Sequence, residues 1–331
     1  MGTRPVVGED RVTIVVATRD RRHDLERSLP RHEANVIVVD NGSVDGTAAA
    51  VREHHPRMEV VELGANRGAP ARNVGVARAD TPYVAFADDD SWWAPGALAL
   101  AADVLDAHPR LAVLAARVLV GTFQRLDPTC SEMATAPLGI SAGAPGPAVL
   151  GFIACGAVVR REAFLACGGF DEVVFFAGEE ERVALDLAAA GWALAYVPAV
   201  VACHHPSPVR DVAQRRALVV RNAVLVAVLR RPWPVVGHRM VDALRGGAAS
   251  RAGLRAALPR IPRALARRRR LPDGVESARR ALDRIHRSAT LISPAQSPPS
   301  MSRRAASSGV EQARVDAAGP PQADGDQTRT K

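Results

Sequence analysis

Short apolar runs recur along the first two hundred positions, each bounded by polar residues. Val12-Thr13-Ile14-Val15-Val16-Ala17, Val36-Ile37-Val38-Val39, residues 58–63 and residues 82–87 are four of them. Their length and β-branched content are those of buried strands. Between them lie helical patterns: a charged stretch over 21–29, residues 45–53, a segment from the turn Asn66-Arg67-Gly68 through 77, and residues 97–107. Residues 111–120 continue the alternation. Strands alternating with helices predict an α/β fold with a mostly parallel central sheet flanked by helices. Ligands of such sheets bind at the carboxyl ends of the strands, where Thr18, Asp40 and Asp88 fall.

The pattern changes further on. Residues 121–150 are rich in Gly, Pro and Ala and show no period, as in a substrate-facing loop. Order resumes over 151–159, followed by a short helix. Gly178-Glu179-Glu180-Glu181 then opens a helix reaching about 190. A strand over 193–197, a turn at Pro198 and a last run to His205 come next. Helical periodicity covers 211–229, 235–244, 251–270 and 273–287. The expected organisation is a leader over 1–10, an α/β domain over 11–210, a basic helical extension over 211–288 and a disordered tail over 289–331.

Composition narrows the chemistry. The only lysine among 331 residues is Lys331, which excludes a phosphate-loop, Schiff-base or general-base lysine in the body. Residues 1–200 carry 18 arginines against 26 acids, whereas residues 201–331 carry 24 arginines and the lysine against nine acids. An acidic body with a basic end points to an anionic partner for that end or to a solvated helical surface. Cys130, Cys155, Cys167 and Cys203 lack CxxC spacing and fit a reducing compartment. The first residues lack the apolar core of a signal peptide, and no uninterrupted apolar stretch reaches about 18 residues.

Asp88-Asp89-Asp90, directly after the fourth apolar run, is the most informative feature. Three crowded carboxylates repel one another and are costly to desolvate unless a divalent cation sits among them. Carboxylate oxygens suit hard ions such as Mg²⁺ or Mn²⁺ that keep positions open for phosphates.

These pieces resemble, in order and spacing, the family 2 glycosyltransferases of GT-A fold over about residues 12–205. The resemblance rests on Val38-Val39-Asp40-Asn41-Gly42-Ser43, on Asn66-Arg67-Gly68 with Ala71-Arg72-Asn73-Val74-Gly75, and on Phe86-Ala87-Asp88-Asp89-Asp90. Arg160-Arg161-Glu162, Gly168-Gly169-Phe170-Asp171-Glu172, Gly178-Glu179-Glu180, Gly191-Trp192, Pro198 and His204 follow. It implies a metal-dependent, inverting hexosyl- or deoxyhexosyltransferase that uses a nucleoside diphosphate sugar and a hydroxyl-bearing, lipid-linked glycan acceptor in cell-envelope synthesis. Nucleotide-sugar contacts are expected at Thr18, Arg19, Asp40, Asn66, Arg72, Asp88 and Asp89. Mn²⁺ or Mg²⁺ is expected on Asp88, Asp90 and His204, with His205 as the fallback. Glu179 is the expected base and Glu180 the second choice. Trp92, Trp93 and Trp192 are candidates to flank a sugar.

Two departures stand out. Arg182-Val183 replaces the acid-leucine pair of many relatives, and Asp186 stands where they carry arginine; an Arg182–Asp186 pair at i,i+4 would keep local ion pairing. The extension beyond 211 reads either as a cap on the sheet domain or as helices in a membrane interface. The latter gives a cytoplasmic protein peripheral at the inner face of the plasma membrane. The competing function is a non-catalytic nucleotide-sugar-binding or scaffold protein. No nucleic acid is expected, since the basic end lacks aromatic interleaving.

Overall fold

The computed structural model describes residues 9–206 and 212–292. The expected leader and tail lie almost wholly outside these residues. The first half alternates as its sequence predicts: β1 (Val12–Thr18), α1 (Arg22–Ser28), β2 (Asn35–Asp40), α2 (Thr47–His54), β3 (Glu59–Glu62), α3 (Ala71–Arg78) and β4 (Tyr83–Ala87). These strands pair in parallel in the order β3-β2-β1-β4. The chain leaves β1 for β2 on one side and returns to β4 on the other, so a crevice opens at the carboxyl ends of β1 and β4. Helix α3 packs on β1 and β2. It comes so close that a Cβ on Gly75 would lie 2.5 Å from Val15 Cγ1, so only glycine fits there.

The remainder turns a parallel sheet into a mixed one. It comprises β5 (Ser91–Trp93), α4 (Ala97–Ala107), β6 (Leu111–Val120), β7 (Arg125–Leu126), α5 (Pro128–Ala134), β8 (Ala157–Arg160), α6 (Arg161–Ala166), α7 (Glu180–Ala189) and β9 (Ala193–His204). β8 lies antiparallel between β4 and β6, β9 runs parallel to β6, and β5 pairs antiparallel with β9 at the edge. The expected turn at Pro198 is instead a bulge inside the single strand β9, since Val197 and Val201 face the successive residues Ala116 and Arg117. Proline, which cannot donate to a ladder, belongs at such a bulge. The aperiodic stretch 121–150 holds β7 and α5, the latter started by Pro128 and capped by the Asp127 side chain on the Thr129 amide at 2.8 Å.

Five helices complete the described residues: α8 (Val212–Arg230), α9 (Trp233–Arg245), α10 (Ala248–Ala257), α11 (Ile261–Ala266) and α12 (Asp273–Ile292). The single helix expected over 251–270 is broken by Pro259 and Pro262 into α10, a 3-10 turn and α11. α8 buries Val224-Leu225-Val226-Ala227-Val228-Leu229, and these share a second apolar cluster with Val173, Val174 and Leu185. The helical part therefore caps the α7 side of the sheet domain. Among the described residues, no helix is long and apolar enough to cross a membrane.

Candidate active site

β4 ends at Ala87, and the Ser91 hydroxyl accepts the Asp88 amide proton at 2.8 Å, which folds the acidic triplet into a tight turn. β5 then starts at once and pairs with β9, placing Ser91 opposite His204. This three-residue strand was not expected from the sequence, since it forms only by pairing with β9. It brings His204 Nε2 within 3.2 Å of Asp90 Oδ1. It also buries Trp93 in the core, which removes that ring from the sugar-flanking candidates. Trp92 packs against His205 and beneath the Arg31 guanidinium.

The three acids differ. Asp88 is one-third exposed and receives a hydrogen bond from Arg72 NH2 at 2.5 Å. Asp89 accepts a hydrogen bond from Thr18 Oγ1 at 3.3 Å, and its own carbonyl accepts one from Ser28 Oγ. Burial, then the charges of Asp88 and Asp90, push the Asp89 carboxyl up to about 7. Asp88, His204 and Cys155 each offer a ligand atom, all within 4.8 Å of one another. Cys155, on the turn before β8, gave no sequence signal: a thiol inside an apolar run reads as core. Burial, with the charges of Asp88 and Asp90 next, holds its thiol well above the usual range.

The glutamates reach the same place from another direction. Gly178 has φ +81° and Glu179 caps α7, so both carboxyls sit on the helix's first turn. Glu179 is 3% exposed, and its Oε1 lies 3.7 Å from Arg72 NH1. Arg72 thus stands between Asp88 and Glu179, and among the described residues its Nε has no hydrogen-bond partner. Burial raises the Glu179 carboxyl, although Arg72 opposes it. Burial and the charge of Glu179 push Glu180 up to about 8. Glu181 faces elsewhere, accepting from Arg279 Nε at 2.7 Å.

The nucleotide-side candidates fall along the same strand ends. Asp40 is buried, adjoins Thr18 in the β1–β2 register and accepts the Ser43 amide at 2.8 Å. Asn66 is exposed; its side chain accepts from the Gly68 amide and from Asn41 Nδ2, so it braces the loop before α3. Arg19 is half-exposed and pairs with Asp20 at 3.5 Å. Arg182 and Asp186 pair at 2.9 Å, and Asp186 also binds Arg230 of α8, so the exchanged charges tie α7 to the cap.

Comparison with known proteins fits this geometry. Residues 13–168 match the family described as Glycosyl transferase family 2. An N-acetylglucosaminyl-diphospho-decaprenol L-rhamnosyltransferase of Mycobacterium tuberculosis is 27% identical over 239 residues, 59% of this chain and 76% of that one. A pre-mycofactocin glycosyltransferase of the same species is 31% identical over 241 residues, covering 66% of this chain but only 47% of its own length. In fold, the chain resembles the mannosyltransferase PcManGT from Pyrobaculum calidifontis, solved with GDP-Man and Mn²⁺ (TM-score 0.53, 24% identity, 86% of this chain, 81% of that one). It also resembles S. aureus TarS 1-349 in complex with UDP-GlcNAc (TM-score 0.53, 16% identity, 84% of this chain, 92% of that one). With acids gathered at the strand ends of this sheet, the chain carries a GT-A glycosyltransferase fold, and nearly half of it, residues 13–168, matches the family 2 glycosyltransferases.

Proposed function

We propose that the chain is a metal-dependent, inverting glycosyltransferase that moves a sugar from a nucleoside diphosphate sugar to the hydroxyl of a lipid-linked glycan in cell-envelope synthesis. One observation carries the reading. Arg72 bridges Asp88 of the strand-end triplet and Glu179 of α7, so carboxylates about ninety residues apart share one crevice. The name of the mycobacterial rhamnosyltransferase specifies a decaprenol-linked substrate, which supports the acceptor class.

The oxygen and nitrogen donors of Asp88, Asp90 and His204 fit a divalent cation, and the imidazole favours Mn²⁺ over Mg²⁺. Such an ion supplies charge neutralisation for the departing diphosphate. Asp40 and Thr18 line the nucleotide end of the crevice, and the unpartnered Nε of Arg72 is a donor in reserve for a phosphate oxygen. Glu179, held out of water beside Arg72, accepts the proton of the attacking hydroxyl. Because burial raises its affinity for protons, it is a stronger base than a solvated carboxylate. Glu180 sits beside it and keeps the local proton count adjustable, since the two carboxyls titrate as a pair.

An exposed face of α9 with Trp233, Val241 and Leu244 next to exposed Arg245 supports contact with an anionic membrane surface on the cytoplasmic side. Co-sedimentation with anionic vesicles at low salt tests that contact; failure to sediment ends it.

The catalytic reading is tested by screening UDP-, GDP- and dTDP-sugars with Mn²⁺, reading thermal stabilisation and acceptor-dependent diphosphate release. At least one donor should give both. Stabilisation without release under any acceptor would favour the non-catalytic alternative.

A further inference from the structure

We propose that Arg221 and Asn222 of α8 are positioning residues for the Glu179–Glu180 pair, so that the C-terminal helical part is needed for transfer and not only for folding. The inference rests on the assignment of those glutamates to the reaction.

The loop that delivers Glu179 is strained. Phe175, Ala177 and Gly178 have φ of +72°, +74° and +81°, and the first two are not glycines. Side chains with a Cβ adopt this region only where the surroundings dictate it. Here the surroundings act on the loop's carbonyls. The Ala69 amide donates to the Phe175 carbonyl at 2.6 Å. The Asn222 carboxamide nitrogen donates to the carbonyls of Phe176 and Ala177, at 2.5 and 2.6 Å. Arg221 NH2 donates to the carbonyls of Val174 and Phe176, at 3.0 and 3.3 Å. Arg221 Nε donates to Asn222 Oδ1 at 2.8 Å, which fixes which end of the carboxamide faces the loop. Asn222 is 1% and Arg221 6% exposed.

Two polar residues inside the apolar stretch 217–229 of α8 need such a use, because a buried guanidinium is costly to desolvate. Arg230 at the end of α8 and Arg231 just after it meet carboxylates, whereas Arg221 meets carbonyls of one loop and the Asn222 side chain. Loop 174–178 leads directly into the first turn of α7. Fixing its carbonyls fixes where α7 begins and where its first two carboxyls point. The residues that do this lie outside the matched segment 13–168, in a part of the chain with its own apolar cluster.

The test uses the full chain carrying Asn222→Ala or Asn222→Asp, the latter setting a carboxylate against two carbonyls. Turnover, donor KM, the pH profile and the thermal midpoint are measured together. The proposal expects kcat to fall tenfold or more, donor KM to stay within threefold, and the acid limb of the profile to move to lower pH as the glutamates gain water. If Asn222→Ala folds poorly, Ala177→Gly is added, because glycine takes the positive φ freely; the double variant should fold and keep the kcat loss. Wild-type kcat with an unmoved acid limb in either folded variant overturns the proposal, as does a rate loss that merely tracks the folded fraction. Glu179→Gln separates the two readings. If it stays active, the assignment of the base fails. If it is inactive while Asn222→Ala is unimpaired, only the positioning role fails.

Discussion

Beneath the C-terminal helices, Glu276 and Asp283 meet Arg231, Arg239, Arg279 and Arg280 at 2.6 to 3.0 Å. At the strand ends, Asp88, Asp89, Asp90, Glu179 and Glu180 gather around the buried guanidinium of Arg72 and the imidazole of His204. Both regions bury carboxylates, and their titration diverges. The arginines hold Asp283 below the ordinary range despite its burial, whereas Asp89 is pushed up to about 7 and Glu180 to about 8. In the cap each buried carboxylate meets more than one guanidinium, which keeps it ionised. The strand-end cluster keeps an excess of negative charge, which a divalent cation can relieve.

The largest expected effect comes from the unbalanced cluster. Asp88→Asn should lower diphosphate release by about a thousandfold or more, since it removes a candidate ligand and the partner of Arg72. Near-normal release would make the strand-end acids as structural as those of the cap. Breaking the arginine-paired side should do the reverse. Arg231→Met leaves Glu276 and Asp283 short of a buried partner and should cost about 3–5 kcal/mol in urea unfolding. Activity per folded molecule should change little.

A third expectation concerns pH. The carboxyls of Asp89 and Glu180 have raised folded-state values, so between about pH 6.5 and 8 the native state binds protons that the unfolded chain has lost. Metal-free protein should therefore lose on the order of 1–2 kcal/mol of stability as pH rises through that window. Glu180→Gln should flatten the dependence. The buried His32, with its pKa lowered to about 4, acts in the opposite sense but below pH 6.5. The smallest effect belongs to the exposed pair Arg263–Glu172 at 3.0 Å, where Arg263→Ala should shift stability by less than about 0.5 kcal/mol.

How far the sequence reveals this molecule depends on whether the relevant contact is local. β1, β2 and β4, α4 and β6 follow from periodicity that each segment carries within itself. The acidic triplet is legible because its chemistry is concentrated in three adjacent positions. β5 is not, because three residues become a strand only by pairing with residues 202–204, more than a hundred positions away. Cys155 looks like core until the sheet sets it beside Asp88 and His204. Arg221-Asn222 reads as a break in an apolar helix, and its use emerges only once the loop carbonyls facing it are known. In the same way, the two prolines that split the helix over 251–270 are visible, but the arginine periodicity runs straight through them.

The account turns on Glu179 as the base within a site that binds donor through other groups. The most direct measurement compares wild type and Glu179→Gln with the donor identified in the screen, reading donor affinity by calorimetry with Mn²⁺ and sugar transfer by product formation. Affinity within threefold of wild type, with transfer reduced by about a hundredfold or more, is the predicted result. Transfer at the wild-type rate would contradict it.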